Sequence, residues 1–127
     1  MRTVESLDAL DIPVKYRTYI SQYLENISPL PFISRVMLFG SCAREDVKNC
    51  SDIDIFITTN KEVSETEEMM ITFYGLPEYT KDTLPIDIIV QQESDFNKFI
   101  NSFGMVQKQV IREGVDISGL LHQRSRD

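Results

Sequence analysis

Leu38-Phe39-Gly40-Ser41-Cys42-Ala43-Arg44, followed after a polar connection by Ser51-Asp52-Ile53-Asp54-Ile55-Phe56-Ile57, is the stretch whose reading decides the fold. Val36, Met37, Leu38 and Phe39 form an apolar run without polar alternation, which predicts a strand over Ile33 to Phe39 covered on both faces. Gly40-Ser41 ends that strand. Ser41 then reads as the N-cap of a short helix through Lys48, with Glu45 and Asp46 in its opening turns. The second run, Asp52 to Thr58, alternates: Ile53, Ile55 and Ile57 point one way, while Asp52, Asp54, Phe56 and Thr58 point the other. One face is read as core and the other as carrying chemistry.

Alternate strand residues share a face about 6.6 Å apart between Cα atoms. Asp52 and Asp54 so placed can both reach a pair of divalent ions separated by about 3.5 to 4 Å, the spacing that clamps attacking and leaving oxygens in phosphoryl or nucleotidyl transfer. Hard carboxylate oxygens favour magnesium or manganese over zinc. A third carboxylate on a neighbouring strand is needed, and Asp87 in Leu84-Pro85-Ile86-Asp87-Ile88-Ile89-Val90 is the best candidate, since an aspartate among strand apolar residues asks for a metal or a cation. The competing reading of Asp87 is an edge-strand charge that blocks sheet association. Asp82, in the loop before Pro85, is the weaker choice. Gly40 permits close backbone approach to an anion, Ser41 adds a hydroxyl donor, and Arg44 supplies positive charge one turn on. The competing reading of Arg44 is a surface ion pair with the Glu45 neighbours or Asp46.

Outward from this centre, Tyr16, Tyr19, Ile20, Tyr23, Leu24 and Ile27 recur at helical spacing and predict an amphipathic helix from about Ile12 to Ile27, with Pro13 in its first turn. Ser28-Pro29-Leu30-Pro31 ends it. Downstream, Ser64-Glu65-Thr66-Glu67 is a capping box that opens a helix with Val63, Thr66, Met70, Phe73 and Tyr74, stopped by Gly75 and Pro77. Ser94 is read as the cap of a helix carrying Phe96, Phe99, Ile100 and Phe103, and Val106, Val110 and Ile111 mark another helix running to Gly114. The aromatics on these helices read as core or interface rather than as base-stacking platforms. Leu120 to Asp127, including His122, shows no periodicity and is read as a frayed tail.

The 127 residues fit one domain, and 42% hydrophobic content suffices for a core without disulfides or a structural metal. A net charge of -7 repels a phosphate backbone, which argues against an extended nucleic-acid partner. Cys42 and Cys50 form neither a disulfide framework nor a metal site and read as free thiols of a reducing compartment. Without a signal region or a run of about 18 apolar residues, the expectation is a cytoplasmic protein with no membrane contact.

Gly40-Ser41, ten residues, then Asp52-Ile53-Asp54, with Asp87 on a later strand, resembles the signature of the DNA polymerase beta-like nucleotidyltransferase superfamily. More narrowly, a chain holding little beyond that core, about Ile33 to Gly114, resembles the minimal nucleotidyltransferases often paired with a HEPN-domain toxin. The fold this implies is α+β, a small mixed β-sheet with helices mainly on one face. The resemblance implies that Gly40 and Ser41 hold the triphosphate, that Asp52 and Asp54 bind two Mg2+ ions, and that Asp87 joins the metal set and activates an acceptor hydroxyl. It further implies attack on the α-phosphorus, with ATP as donor, AMP transferred and a HEPN-domain protein as acceptor in a toxin-antitoxin module. Two other readings stay open: an antitoxin that binds without catalysis, and a drug-modifying nucleotidyltransferase acting on a small molecule. Two positions depart from the pattern. Cys42 stands where many relatives have arginine and Glu45 where they commonly have glycine, which predicts one cation fewer and one anion more beside the phosphates.

Overall fold

Alternation along two adjacent strands divides the interior in two. A computed structural model describes residues 1–102 and 104–124 of the chain. In order, the elements are β1 (Arg2–Thr3), a 3-10 turn (Leu7–Ala9), α1 (Val14–Ile27), β2 (Ile33–Phe39), α2 (Ser41–Arg44), β3 (Ile53–Thr59), α3 (Glu65–Thr72), β4 (Ile86–Gln92), α4 (Glu93–Ile100), α5 (Met105–Glu113), β5 (Val115–Asp116) and α6 (Gly119–Arg124). The strands form one sheet in the order β1-β5-β2-β3-β4. It is mixed: β3 runs parallel to β4 and β1 to β5, while β2 is antiparallel to both of its neighbours.

On one face, Val36 and Leu38 of β2 and Ile53, Ile55 and Ile57 of β3 pack with Tyr16, Ile20, Tyr23 and Ile27 of α1 and Ile71 of α3. On the other, Met37, Phe39 and Phe56 pack with Phe96 of α4 and Val110 of α5. The α+β class with a small mixed sheet holds, and the larger core lies under α1 and α3. The expectation that β3 has one core face and one chemical face is corrected, because Phe56 and Thr58 are buried on the same side as Asp54. Phe56 meets Phe96 at 5.0 Å between ring centroids. Within β3 only Asp54 remains partly open.

The capping box forms as read, with Ser64 Oγ accepting from the Glu67 N–H and the Glu67 carboxylate accepting from the Ser64 N–H. The helix it opens nevertheless buries Ile71 rather than Met70, Phe73 and Tyr74, which are exposed. Tyr23 explains the choice: its hydroxyl donates to the Ile71 carbonyl at 2.8 Å and draws that side of α3 onto α1. Tyr16, Tyr19 and Phe96 are buried, Phe99 is exposed, and Phe103 lies outside the described residues. Among the elements that escape a reading by periodicity are two strands and a helix. Strands β1 and β5 span two residues each, too short for a repeat. The helix is α6, which gives helical backbone to Gly119–Arg124 where a frayed tail was expected. Among the described residues no helix is long and apolar enough to cross a membrane.

Candidate active site

Register builds the carboxylate cluster. Asp54 lies opposite Phe39 across the antiparallel β2–β3 pair and opposite Asp87 across the parallel β3–β4 pair. Cross-strand partners in a parallel ladder project from the same face, so Asp54 and Asp87 share it. β4 is the sheet edge, and Asp87 is exposed on it. Asp52 sits one residue before β3 rather than within it, and it is exposed. The approach to it is pinned from both sides: Tyr16 Oη donates to the Ser51 carbonyl at 2.8 Å, and Ser51 Oγ accepts from the Lys48 N–H at 2.8 Å.

Asp54 is half-buried, and burial pushes its carboxyl above the ordinary range, with Asp87 and Asp52 adding to the shift; Arg44 opposes it and Glu113 adds to it. Three carboxylates and one guanidinium therefore act on Asp54, a site short of positive charge. Among the described residues, no three Asp, Glu, His or Cys side chains are already gathered into a metal cage. The donor set is hard oxygen, the type that suits Mg2+, and Asp52 and Asp54, with Asp87 alongside, are the residues that would hold such an ion.

Gly40 closes the other side. Its φ of 71° and ψ of -151° belong to glycine alone, and a Cβ there would lie 2.3 Å from Asp54 Oδ2. The turn can thus bring backbone against the carboxylate. Ser41 Oγ is 3.5 Å from the Asp52 carbonyl, linking the turn to the same loop.

The helix expected from Ser41 to Lys48 is corrected to four residues, Ser41–Arg44, with Gly40 rather than Ser41 as the cap position. Glu45 ends it in the left-handed conformation at φ 61°. Its carboxylate pairs with Arg2 and accepts from the Asp11 N–H at 3.0 Å, and these contacts lower its pKa. So short a helix has little dipole to offer an anion. Glu45, in turn, spends its charge on the N-terminal segment instead of standing free beside the turn.

Arg44 is exposed and forms two ion pairs, Nε to Asp46 Oδ2 at 3.1 Å and Nη1 to Glu113 Oε2 at 3.1 Å. The surface pairing with Asp46 read from the sequence is present. Glu113 was not singled out from the sequence, although it also accepts from the Gly40 N–H at 3.1 Å. The partners lie 69 and 73 residues away in sequence, beyond any local pattern. The one local signal is a carboxylate in the last position of a helix, where the dipole disfavours it and a cation partner must compensate.

Cys42 is buried, and burial, with Asp54 and Asp46 nearby, pushes its thiol up to about 12. It packs as a small core residue. Titration of the native chain with an aromatic disulfide is expected to modify Cys50 alone, with Cys42 reacting only after denaturation. Rapid modification of both in the native state would contradict this packing.

A cleft of about 540 Å³ between the 3-10 turn and α1 is lined by Asp8, Arg17 and Thr18 among others, but by none of Gly40, Ser41, Asp52, Asp54 or Asp87. The catalytic candidates instead line the open end of the sheet at the start of β3 and β4. A glycine turn set against strand-borne carboxylates is an arrangement suited to metal-assisted phosphoryl chemistry. Residues 19–120 match the family model described as Polymerase beta, Nucleotidyltransferase, and the chain belongs to that family. Among solved structures, it is similar to a protein of Sulfolobus solfataricus assigned as a nucleotidyltransferase. The two share 26% sequence identity over 66% of this chain and 75% of the other, with a TM-score of 0.49. No curated protein sequence matches the chain.

Proposed function

We propose that the chain is a metal-dependent nucleotidyltransferase that moves AMP from ATP to a hydroxyl of a partner protein, acting as the antitoxin of a HEPN-domain toxin. The observation that carries the transfer reading is the juxtaposition of Gly40 with Asp54 Oδ2, beside the in-register pair Asp54 and Asp87. Gly40 and Ser41 lodge the triphosphate. Asp52 and Asp54 are the residues that would hold Mg2+, which when bound would supply positive charge to the phosphate oxygens. Asp87, exposed at the sheet edge, receives the proton of the acceptor hydroxyl as the acceptor oxygen bonds to the α-phosphorus; the bond to the β-phosphate oxygen breaks and pyrophosphate leaves.

A protein acceptor is supported by the exposed apolar end of α3, where Phe73 is 54% and Tyr74 68% exposed, with their rings in edge contact. The net charge of -7 speaks against a polynucleotide template. Incubation with labelled ATP, Mg2+ and a HEPN-domain partner is expected to raise the partner's mass by one or more AMP units. An unchanged mass across several divalent metals would refute transfer to that protein.

One observation favours a second reading, a binding antitoxin without catalysis: Arg44, the cation nearest the turn in sequence, is already paired with two carboxylates. Calorimetry separates the two. Heat on titration with Mg-ATP that disappears in Asp52→Ala/Asp54→Ala supports the enzyme; no heat, with partner control intact in that variant, supports the silent binder.

A further inference from the structure

We infer that Glu113 is the positioning residue of the phosphate-gripping turn, tethering α5 to both ends of the segment from Gly40 to Arg44. The inference rests on the nucleotidyltransferase reading and assigns the charge that keeps its turn in shape. Glu113 Oε1 accepts from the Gly40 N–H at 3.1 Å and from Arg44 Nη1 at 3.2 Å, while Oε2 accepts from Arg44 Nη1 at 3.1 Å. Gln109, one turn earlier on α5, donates Nε2 to Oε1 at 2.6 Å and fixes the carboxylate's rotamer. The side chain is only 15% exposed.

Four donor contacts on one carboxylate make a junction, and its location gives it meaning. Gly40 has a backbone conformation that few residues adopt, and such conformations persist only where surrounding contacts over-determine them. The N–H of Gly40 points to Glu113, so the carboxylate fixes the orientation of the peptide that abuts Asp54. The same oxygens hold Arg44 at the far end of α2. One side chain thereby sets the spacing between the close-approach glycine and the cation, and α5 carries that setting from the second core through Val110. Hydrogen bonds to an ionised carboxylate are stronger than neutral ones, which suits a positioning role.

Such outer partners alter ligand affinity by roughly 10- to 100-fold when removed. Glu113→Ala removes every contact. Glu113→Gln keeps an oxygen for the Gly40 N–H but gives up the charge that holds Arg44. The expected result is a KM for Mg-ATP raised at least about tenfold in Glu113→Ala, with kcat changed less, and a smaller rise in Glu113→Gln. Arg44→Ala added to Glu113→Ala produces no further tenfold loss, because the two act through one contact. Amide hydrogen exchange at Gly40, read without nucleotide, speeds up in Glu113→Ala and stays slow in Glu113→Gln. A wild-type chain that binds Mg-ATP, with Glu113→Ala binding equally well or more tightly, overturns the inference, as does unchanged exchange at Gly40. A wild-type chain that binds no Mg-ATP removes the nucleotidyltransferase reading and the positioning role with it, and is recognised as that failure because no variant is needed to see it.

Discussion

Asp54→Asn is expected to raise the melting temperature of the metal-free chain and at the same time to reduce nucleotidyl transfer by about 10³-fold. The two effects have one cause. Asp54 is pushed up by burial first, then by Asp87 and Asp52. A carboxyl whose folded value exceeds its unfolded one binds its proton more tightly in the folded chain. Its stabilising protonation is complete below the ordinary aspartate range and is lost as pH rises through the raised folded value. Near neutrality the ionised group is therefore a net cost to folding, and an uncharged asparagine of the same shape removes it. The wild-type chain should lose stability between the ordinary aspartate range and neutrality more steeply than the variant. The same negative charge is what a metal ligand needs. Its removal forfeits several kcal/mol of transition-state charge stabilisation, which converts to the order of 10³ in rate. Scanning calorimetry with and without Mg2+, paired with a transfer assay, tests both halves: Mg2+ should raise the wild-type midpoint and leave that of Asp54→Asn unmoved. A variant that melts lower than wild type, or one that transfers normally, would contradict the role given to this carboxylate.

Gly40→Ala is expected to damage both stability and transfer, and the damage should depend on Asp54. Alanine at φ 71°, ψ -151° is strained whatever surrounds it, at about 1–3 kcal/mol. The new Cβ would also meet Asp54 Oδ2 at 2.3 Å. That contact can be relieved by swinging the carboxylate aside, so it falls on function more than on folding; displacement of a reacting group by about 1 Å costs on the order of 10² in rate. A double-mutant cycle separates the two terms. With Asp54→Ala already present the contact is gone and only backbone strain remains, so Gly40→Ala should cost less in urea unfolding in that background than in wild type. Equal costs in both backgrounds would mean that the close approach of Gly40 to Asp54 has no energetic weight.

The parts of the site visible in sequence are those that obey a local rule. Asp54 falls on a strand whose alternation the sequence shows, Gly40 marks a turn no other residue makes, and the Ser64 capping box closes on itself within three residues. β2 falls on Ile33–Phe39, and α1 ends at Ile27 where the prolines stop it. The errors arose where a distant partner outbid a local preference. Glu45 and Asp46 would continue a helix by position, but Arg2 and the Asp11 N–H pull Glu45 out of it. Met70, Phe73 and Tyr74 share a helical stripe, but the Tyr23 hydroxyl turns Ile71 inward instead.

The sequence by itself determined a strand, a glycine turn and a second strand bearing Asp54, with Asp52 just before its start, because backbone sterics and side-chain alternation act between neighbours in the chain. The pairing of Asp87 with Asp54, the second core over Phe56, and the tether from Glu113 to Gly40 and Arg44 were decided only by tertiary structure. Sheet register and ion pairing join residues tens of positions apart, and no local period records which of several acidic side chains will meet them.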